Sequence, residues 1–378
     1  MQRFITYVTL LLLLFTSNVR LYAQDNDSIP SEDFVIASVL IASPGEEIYS
    51  TLGHACIRLQ CPTHNLDYVF SSESEDATKK VILFFAGRLK MRTAAIPTTE
   101  YLSQYSKEGR GVIEYILNLP IKTKQRLWQQ MDERLEEPNE PYDFLNRGCA
   151  QSVLQWLEDA IGTDSLQYGT WGEKWNRSRK EIACDNVESP WGRSFLYCFF
   201  DGKARTETLS NMRKVIVPAE LIEVLQHAKA YGKPLLSKEG TTIVKQTKTI
   251  EYSWFTPLIL AILILIVAII NLRLHLPVVR YGIITMAMLL GALIHYLVIL
   301  SDLCCTEFNW LLVPLSPLPL LLWRWKKKAL PVFIAANIIW CIGMIPLIKI
   351  AVDWEMIAFT LALTTTYIET FNKNKKLN

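Results

Sequence analysis

The chain has 378 residues, of which 50% are hydrophobic and 20% charged, and its net charge is +2. A nearly neutral chain without a basic patch of interleaved aromatic residues excludes nucleic acid as a partner. The composition averages two unlike parts: residues 25–248 are mixed polar and apolar as in a globular domain, whereas most of the chain after Tyr252 is apolar.

The first 23 residues have the pattern of a secretory signal peptide. Arg3 precedes an apolar run from Ile5 to Phe15, and a polar stretch then ends at the small residue Ala23. The pattern predicts export, with cleavage after Ala23 or with the apolar run retained as an anchor. Residues 24–250 are therefore expected to form an exported domain.

A strand and a β-hairpin are predicted near the start of this domain. Residues 34–43 form a buried strand, and residues 54–61 (HACIRLQC) and 66–73 (LDYVFSSE) flank a turn at 62–65. A four-residue turn pairs Cys61 with Leu66 and His54 with Glu73. One face of the hairpin then collects apolar side chains, and the other collects His54, Cys56, Arg58, Gln60, Asp67, Ser71 and Glu73. Such a face suits either a catalytic cleft that opens at His54 or an ordinary solvated sheet surface.

Cys149 is predicted to lie in the first turn of a helix. Residues 111–119 form a further strand, Pro120 opens a helix to about Glu137, and an amphipathic helix runs from Cys149 to Ile161 before Gly162. Unpaired N–H groups and the positive end of the helix dipole favour a thiolate there and can hold an oxyanion. A buried core cysteine is the alternative interpretation.

The cysteine count leaves at least one thiol free in the exported domain, unless it pairs between segments or chains. Three of the eight cysteines lie in or beside apolar segments, namely Cys304, Cys305 and Cys341. Of the remaining five, Cys149 is the candidate for the free thiol, and Cys184 with Cys198 is a possible disulfide. Cys56 is a rival nucleophile, but next-but-one neighbours on a strand face project about 7 Å apart, too far for a direct hydrogen bond to His54.

Residues 251–378 are predicted to form a transmembrane domain. Five segments are apolar and long enough to cross a bilayer, at 254–272, 278–300, 308–325, 329–350 and 352–371. Lysine and arginine concentrate in the loops after the first, third and fifth segments, which predicts a cytoplasmic C-terminus and an exported domain outside. His295 lies near the outer end of the second segment, where an ionisable group serves either substrate binding or a hydrogen bond to a neighbouring helix.

Three runs carry a resemblance to a known family. SPGEEIYSTLGHACIRL, GRGVIEYILNLP and YDFLNRGCAQSVLQWL, in this order and ahead of a polytopic C-terminus, resemble the Lnb-type apolipoprotein N-acyltransferases. The resemblance covers about residues 38–157 by motif and the rest by architecture. It implies an α+β fold in which a permuted papain-like periplasmic domain precedes an all-α transmembrane bundle of about five helices in the bacterial inner membrane. Histidine precedes cysteine in this order, as in lecithin:retinol acyltransferases. Gly148 departs from the family, whose members often have Asn before the cysteine, and this puts in doubt a side-chain contribution from that position but not the nucleophile.

The resemblance also implies a reaction. A fatty acyl chain moves from a membrane phospholipid, through a Cys149 thioester, to the α-amine of the N-terminal diacylglyceryl-cysteine of a lipoprotein, without a cofactor or metal. His54 is then the base and counter-ion of Cys149, and the hairpin register nominates Ser71 or Glu73 to orient it. Arg58, on the same face, is a candidate for contact with a lipid phosphate, or an ordinary solvated arginine.

Two other classes of function stay open. A papain-like cell-wall peptidase or amidase uses the same dyad with water as the acceptor, although a soluble substrate needs no platform of five membrane helices. A non-catalytic, membrane-tethered binding protein keeps its function when Cys149 is replaced.

Overall fold

The computed structural model describes residues 35–47, 50–169, 176–208, 215–237, 239–303, 306–318, 326–344 and 354–376. The predicted signal peptide, Cys304 and Cys305 lie outside these residues. A sheet domain comes first and helices follow at the C-terminal end, which confirms the expected mixed architecture. The papain-like permutation stays a prediction.

A seven-stranded antiparallel sheet forms the centre of the first domain, in the order β10-β5-β1-β2-β3-β4-β6. Its strands are β1 (Ile36–Ala42), β2 (His54–Cys61), β3 (Leu66–Ser74), β4 (Lys90–Pro97), β5 (Val112–Ile116), β6 (Glu140–Pro141) and β10 (Thr241–Val244). Three two-residue strands make a small second sheet, namely β7 (Leu166–Gln167), β8 (Lys229–Ala230) and β9 (Lys233–Pro234).

The residues described in this domain include eight α-helices. They are α1 (Val81–Phe85), α2 (Thr98–Glu108), α3 (Ile121–Leu135), α4 (Cys149–Ile161), α5 (Arg179–Asp185), α6 (Pro190–Phe199), α7 (Lys203–Thr206) and α8 (Pro218–His227). Helices α3, α4 and α8 pack on the apolar face of the sheet, where Ala55, Ile57, Leu59 and Phe70 join the largest core cluster.

The β2–β3 hairpin has the predicted register. Cys61 pairs with Leu66, and the pairing continues to Ile57 and Phe70. The turn contains a short 3-10 helix at Pro62–His64, and Asn65 ends it in the left-handed conformation, with φ of 53°. The predicted side-chain alternation therefore holds along β2.

The second face of the hairpin is not simply solvated. Helix α2 covers part of it, and Cys56 and Val69 are buried there with Tyr101 and Tyr105. Ser71 is also fully buried. The interpretation as a solvated sheet surface is therefore wrong for this part of the hairpin, because a helix that follows β4 in the chain folds back over it.

In the described residues of the C-terminal part there are four α-helices, α9 (Pro257–Leu274), α10 (Pro277–Ile299), α11 (Lys326–Met344) and α12 (Trp354–Lys376). By length and composition α9 and α10 can cross a membrane, whereas the apolar part of α11 is shorter, at Lys328–Met344. Two of the five predicted spans are thus supported by helices that are both long and apolar enough to cross a membrane. The predicted span at 308–325 is corrected in its first half, which forms turns and a short 3-10 helix at Trp310–Leu312. Pro314 and Pro317 lack the N–H that a continuous helix requires. Residues 319–325 lie outside the described part.

The sheet domain contacts one end of these helices. Trp191 of α6 donates from Nε1 to the carbonyl oxygen of Phe255, just before α9, at 2.9 Å. Ser194 of α6 donates to Glu355, in the first turn of α12, at 2.8 Å. The Ser301 hydroxyl, after the end of α10, donates to the carbonyl oxygen of Phe85 at 2.6 Å. The start of α9, the end of α10 and the start of α12 therefore lie on the same side, against the sheet domain.

The possible disulfide between Cys184 and Cys198 is absent. Cys184 in α5 and Cys198 in α6 are both buried but are not joined to each other.

Candidate active site

His54 is the first residue of β2, and a glycine sets the path of the chain into it. Gly53 has φ of 82°, and a Cβ at this position would lie 2.6 Å from the carbonyl oxygen of Ala42. Only glycine adopts this conformation at low cost and permits such close approach. His54 then pairs with Ala42 of β1, which fixes its backbone in the sheet.

Cys149 is the first residue of α4. Before it, the Asp143 carboxylate accepts the backbone N–H groups of Leu145 and Asn146, which closes a tight turn that leads to Gly148 at the N-cap. The first N–H groups of a helix have no carbonyl partner within the helix. Cys149 thus occupies the position at which the backbone offers donors to an anion.

The two side chains meet where β2 begins and α4 begins. The His54 ring lies close enough to the Cys149 thiol to interact with it by charge and by hydrogen bonding, and the backbone N–H groups of Ala55 and Ala150 also act on the sulfur. Burial by itself raises the pKa of Cys149, but the His54 charge, the hydrogen bond and the two N–H groups outweigh it and lower that pKa below its ordinary value.

The same contacts act on the histidine in the opposite direction. Burial lowers the pKa of His54, but the charge of Cys149, their hydrogen bond and the carboxylate of Glu73 outweigh it and raise that pKa. The positive charge of Arg110 opposes this rise to a smaller extent. A lowered thiol pKa beside a raised imidazole pKa favours the thiolate–imidazolium pair near neutral pH.

Ser71 and Glu73 extend a hydrogen-bonded series from His54, on the side of the ring away from Cys149. Ser71 Oγ lies 2.7 Å from His54 Nε2 and donates its proton to Glu73 Oε1 at 2.6 Å. Ser71 therefore accepts from Nε2–H, which leaves Nδ1 to face the thiol. Glu73 Oε1 is also 3.7 Å from Nε2, and the Glu73 side chain is 43% exposed against 17% for His54. Both residues nominated from the hairpin thus lie behind His54, in series.

Cys56 has none of these features. It is fully buried, and its sulfur lies 3.2 Å from the hydroxyl of Tyr101. Burial raises the pKa of Cys56 far above its ordinary value. A thiol that stays protonated and lacks solvent access is a poor nucleophile.

The two predicted substrate-binding residues have internal partners. Arg58 donates to both carboxylate oxygens of Asp67, at 2.8 and 2.6 Å, and to Glu114 at 3.0 Å. His295 Nδ1 lies 2.7 Å from the carbonyl oxygen of Gly291, one turn earlier in α10. Substrate binding by Arg58 and His295 stays a prediction.

Sequence reasoning missed two contributions to the site. Arg110, which donates to the carbonyl oxygen of Ser43 at 2.8 Å, modulates His54 through its charge. The N–H of Ala55 is a backbone group and leaves no trace in the residue pattern. In the sequence, the role of Arg110 is indicated only by the two glycines that flank it in the run GRGVIEYILNLP.

A polar cavity of about 260 Å³ opens beside the residues that flank Cys149. Ser72 lines it from β3, and Arg147 and Ser152 line it from either side of Cys149. Arg92 and Arg134 add positive charge, which Glu137 and Glu140 partly offset. Cys149, His54, Ser71 and Glu73 do not line this cavity, so it neighbours the dyad and is not part of it. The site itself combines a nucleophile, a base with an orienting series and oxyanion donors.

Comparison with known families agrees with this arrangement. Residues 26–174 match the family described as the Lnb N-terminal periplasmic domain. The matched residues include Cys149, His54, Ser71 and Glu73. No curated protein and no solved structure matches the chain. The resemblance recognised from the three sequence runs is confirmed by this match, which covers residues 26–174.

Proposed function

We propose that this chain, with its Lnb N-terminal periplasmic domain, is a cysteine-dependent acyltransferase that N-acylates lipoproteins at the bacterial inner membrane. The donor is a membrane phospholipid, and the acceptor is the α-amine of an N-terminal diacylglyceryl-cysteine. The observation that carries the proposal is the series Cys149–His54–Ser71–Glu73 at the N-terminus of α4.

In the first half-reaction, the Cys149 thiolate attacks the carbonyl carbon of a phospholipid acyl ester. Backbone N–H groups at the start of α4 stabilise the oxyanion of the tetrahedral intermediate. When this intermediate collapses, the ester C–O bond breaks and His54 gives its proton to the departing glycerol oxygen. A lysophospholipid leaves, and the acyl chain stays on Cys149 as a thioester.

In the second half-reaction, the neutral α-amine of the lipoprotein attacks the thioester carbonyl. His54, now neutral, takes the proton from the attacking nitrogen while the amide C–N bond forms. Collapse breaks the C–S bond and restores the thiolate–imidazolium pair. The Ser71–Glu73 series keeps the imidazole oriented and favours its charged form through both halves.

The C-terminal helices support a lipid substrate. Helices α9 and α10 are long and apolar enough to cross a membrane, and the sheet domain contacts one end of the helical part. We propose a multi-pass protein whose catalytic domain faces the periplasm, which is the orientation that the lysines and arginines of the opposite loops favour. A hydrolase of soluble cell-wall peptides would not need this placement.

The test is mass spectrometry of a model lipoprotein's N-terminus, in cells that lack their own N-acyltransferase. Those cells receive the parent chain, Cys149→Ser or the matched control Cys56→Ser, with the membrane level of each measured. We expect a third acyl chain with the parent and with Cys56→Ser, and none with Cys149→Ser.

Two other results would contradict the proposal. Absence of acylation by a well-expressed parent refutes the acyltransferase and favours the hydrolase. Acylation that persists in Cys149→Ser refutes Cys149 as the nucleophile.

A further inference from the structure

Helix α1 presents an apolar surface to the outside of the molecule. Its five residues, Val81–Phe85, have the sequence VILFF. Val81 is 47% exposed, Ile82 81% and Leu83 38%. Single exposed apolar residues are common on protein surfaces, but three in succession on one short helix indicate a contact surface.

Hydrogen bonds place α1 beside the end of the apolar helix α10. The carbonyl oxygen of Phe85 accepts from Ser301, and that of Ala86 accepts from the backbone N–H of Asp302 at 3.0 Å. Arg88 completes the contact through an ion pair with Asp302 at 3.2 Å. Since α10 ends at Ile299, the exposed side of α1 lies at the level where this helix leaves the membrane.

The approach of the two segments requires a glycine. Gly87 has φ of 69°, and a Cβ there would lie 2.3 Å from the backbone nitrogen of Leu303. A side chain at this position would push α1 away from the end of α10. The glycine at position 87 therefore allows α1 to lie close to the end of α10.

Aromatic side chains mark the same level of the molecule. Trp254 just before α9 is 80% exposed, and Phe308 and Trp310 after α10 are 82% and 47% exposed. Aromatic residues of this kind concentrate at membrane–water interfaces. Their segments, like α1, lie at the end of the helical part that contacts the sheet domain.

We propose that α1 inserts its exposed face, Val81, Ile82 and Leu83, into the outer interface of the bilayer that α9 and α10 cross. Short apolar segments of this kind bury their side chains about 5–10 Å into the boundary between headgroups and acyl chains. The inference rests on the membrane-spanning part of the proposed function but not on the acyl-transfer reaction.

The insertion has a consequence for the catalytic site. α1 follows β3, the strand that carries Ser71 and Glu73, with a short segment after Ser74 between them. A lipid-seated α1 therefore holds the end of β3 that carries the histidine's partners close to the bilayer. This shortens the path over which an acyl ester must rise to reach Cys149.

The test measures the membrane depth of α1 in the full-length chain with Cys149→Ser, reconstituted in vesicles of phosphatidylethanolamine and phosphatidylglycerol. A nitroxide is attached at Leu83→Cys, and its collisions with oxygen and with a water-soluble nickel chelate are compared. Leu66→Cys is the matched control, because Leu66 is also 38% exposed but lies at the opposite end of β3. Leu289→Cys, in α10 and 69% exposed, reports lipid contact. The Cys149→Ser parent without an added cysteine gives the background labelling.

We expect oxygen collisions to prevail at Leu83 and Leu289 and nickel collisions to prevail at Leu66. If nickel prevails at Leu83 while Leu289 reports lipid, α1 faces water and the inference is overturned, although the membrane helices stand. If a label at Leu83 is shielded from both reagents, a protein partner covers α1 and the inference is again overturned. If nickel prevails at Leu289, the membrane-spanning proposal fails and the inference fails with it.

Discussion

Replacing Ser71 by alanine isolates the link between His54 and Glu73. The substitution removes both hydrogen bonds of the Ser71 hydroxyl, one from His54 Nε2 at 2.7 Å and one to Glu73 at 2.6 Å. A hydrogen bond to a charged group contributes about 1.5–3 kcal/mol, and Glu73, 3.7 Å from Nε2, retains part of its attraction. We therefore expect a loss of about 2 kcal/mol, which is roughly 30-fold in the rate of acyl transfer.

The pH dependence of thiol alkylation reports the same link. Glu73 helps to raise the pKa of His54, so uncoupling it lowers that pKa and weakens the cation beside the thiolate. The pKa of Cys149 then rises toward its ordinary value. The rate of Cys149 alkylation by iodoacetamide is measured by mass spectrometry from about pH 5 to about pH 9. In Ser71→Ala this rate should be lower at neutral pH, and the inflection of the rate against pH should lie at a higher pH than in the parent.

Two further variants separate this effect from a fault in folding. Ser74→Ala changes an exposed serine of the same strand and should match the parent in both assays. Glu73→Gln removes the charge at a side chain that is 43% exposed, so the fold should tolerate it, and the inflection should move in the same direction as in Ser71→Ala. If folded Ser71→Ala and Glu73→Gln keep the parent's alkylation profile, Ser71 and Glu73 do not act on the dyad.

Three other substitutions test the surrounding structure. Burial raises the pKa of Glu220 from 4.5 to about 7, so its stabilising effect is full below pH 4.5 and is lost as the pH rises through 7. Glu220→Gln should therefore gain stability, by about 3 kcal/mol, above pH 7 and not near pH 5 in thermal unfolding. Arg58→Ala removes the cation that pairs with Glu114, which keeps only the hydrogen bond from Ser38, and should lower the free energy of unfolding by about 3 kcal/mol, seen as a lower midpoint in detergent. Gly53→Ala forces a residue with a Cβ to φ of 82°, and it should cost about 1–3 kcal/mol and slow alkylation by displacing His54.

The parts of the site that depend on local chain geometry could be predicted from the sequence. The turn at 62–65 sets the register of β2 and β3, and strand alternation then puts His54, Ser71 and Glu73 on one face. Cys149 could be placed at a helix start from Gly148 and the amphipathic run that follows. These features need no knowledge of how distant elements pack.

The remaining features depend on tertiary packing and could not be derived in this way. Whether Cys56 faces solvent or core is decided by α2, which begins some 40 residues later and covers it through Tyr101. The alternation of residues along β3 does not reveal that Ser71 lies between His54 and Glu73, because it makes both residues candidates for the same position. Likewise, hydropathy does not show that residues 308–317 form turns, since their composition is as apolar as that of a helix.

The packing that stabilises the sheet domain also sets the geometry of the dyad. Ala150, Val153, Leu154 and Leu157 of α4 are buried in the same core cluster as Ala55, the neighbour of His54. Because this core joins α4 directly to β2, neither the helix start nor the strand start can shift without opening a cavity between them. The sulfur and the imidazole are therefore held together by apolar side chains that take no part in the chemistry. Burial alone opposes the thiolate–imidazolium pair of Cys149 and His54. The packing around it nevertheless holds the two groups in place before substrate binds.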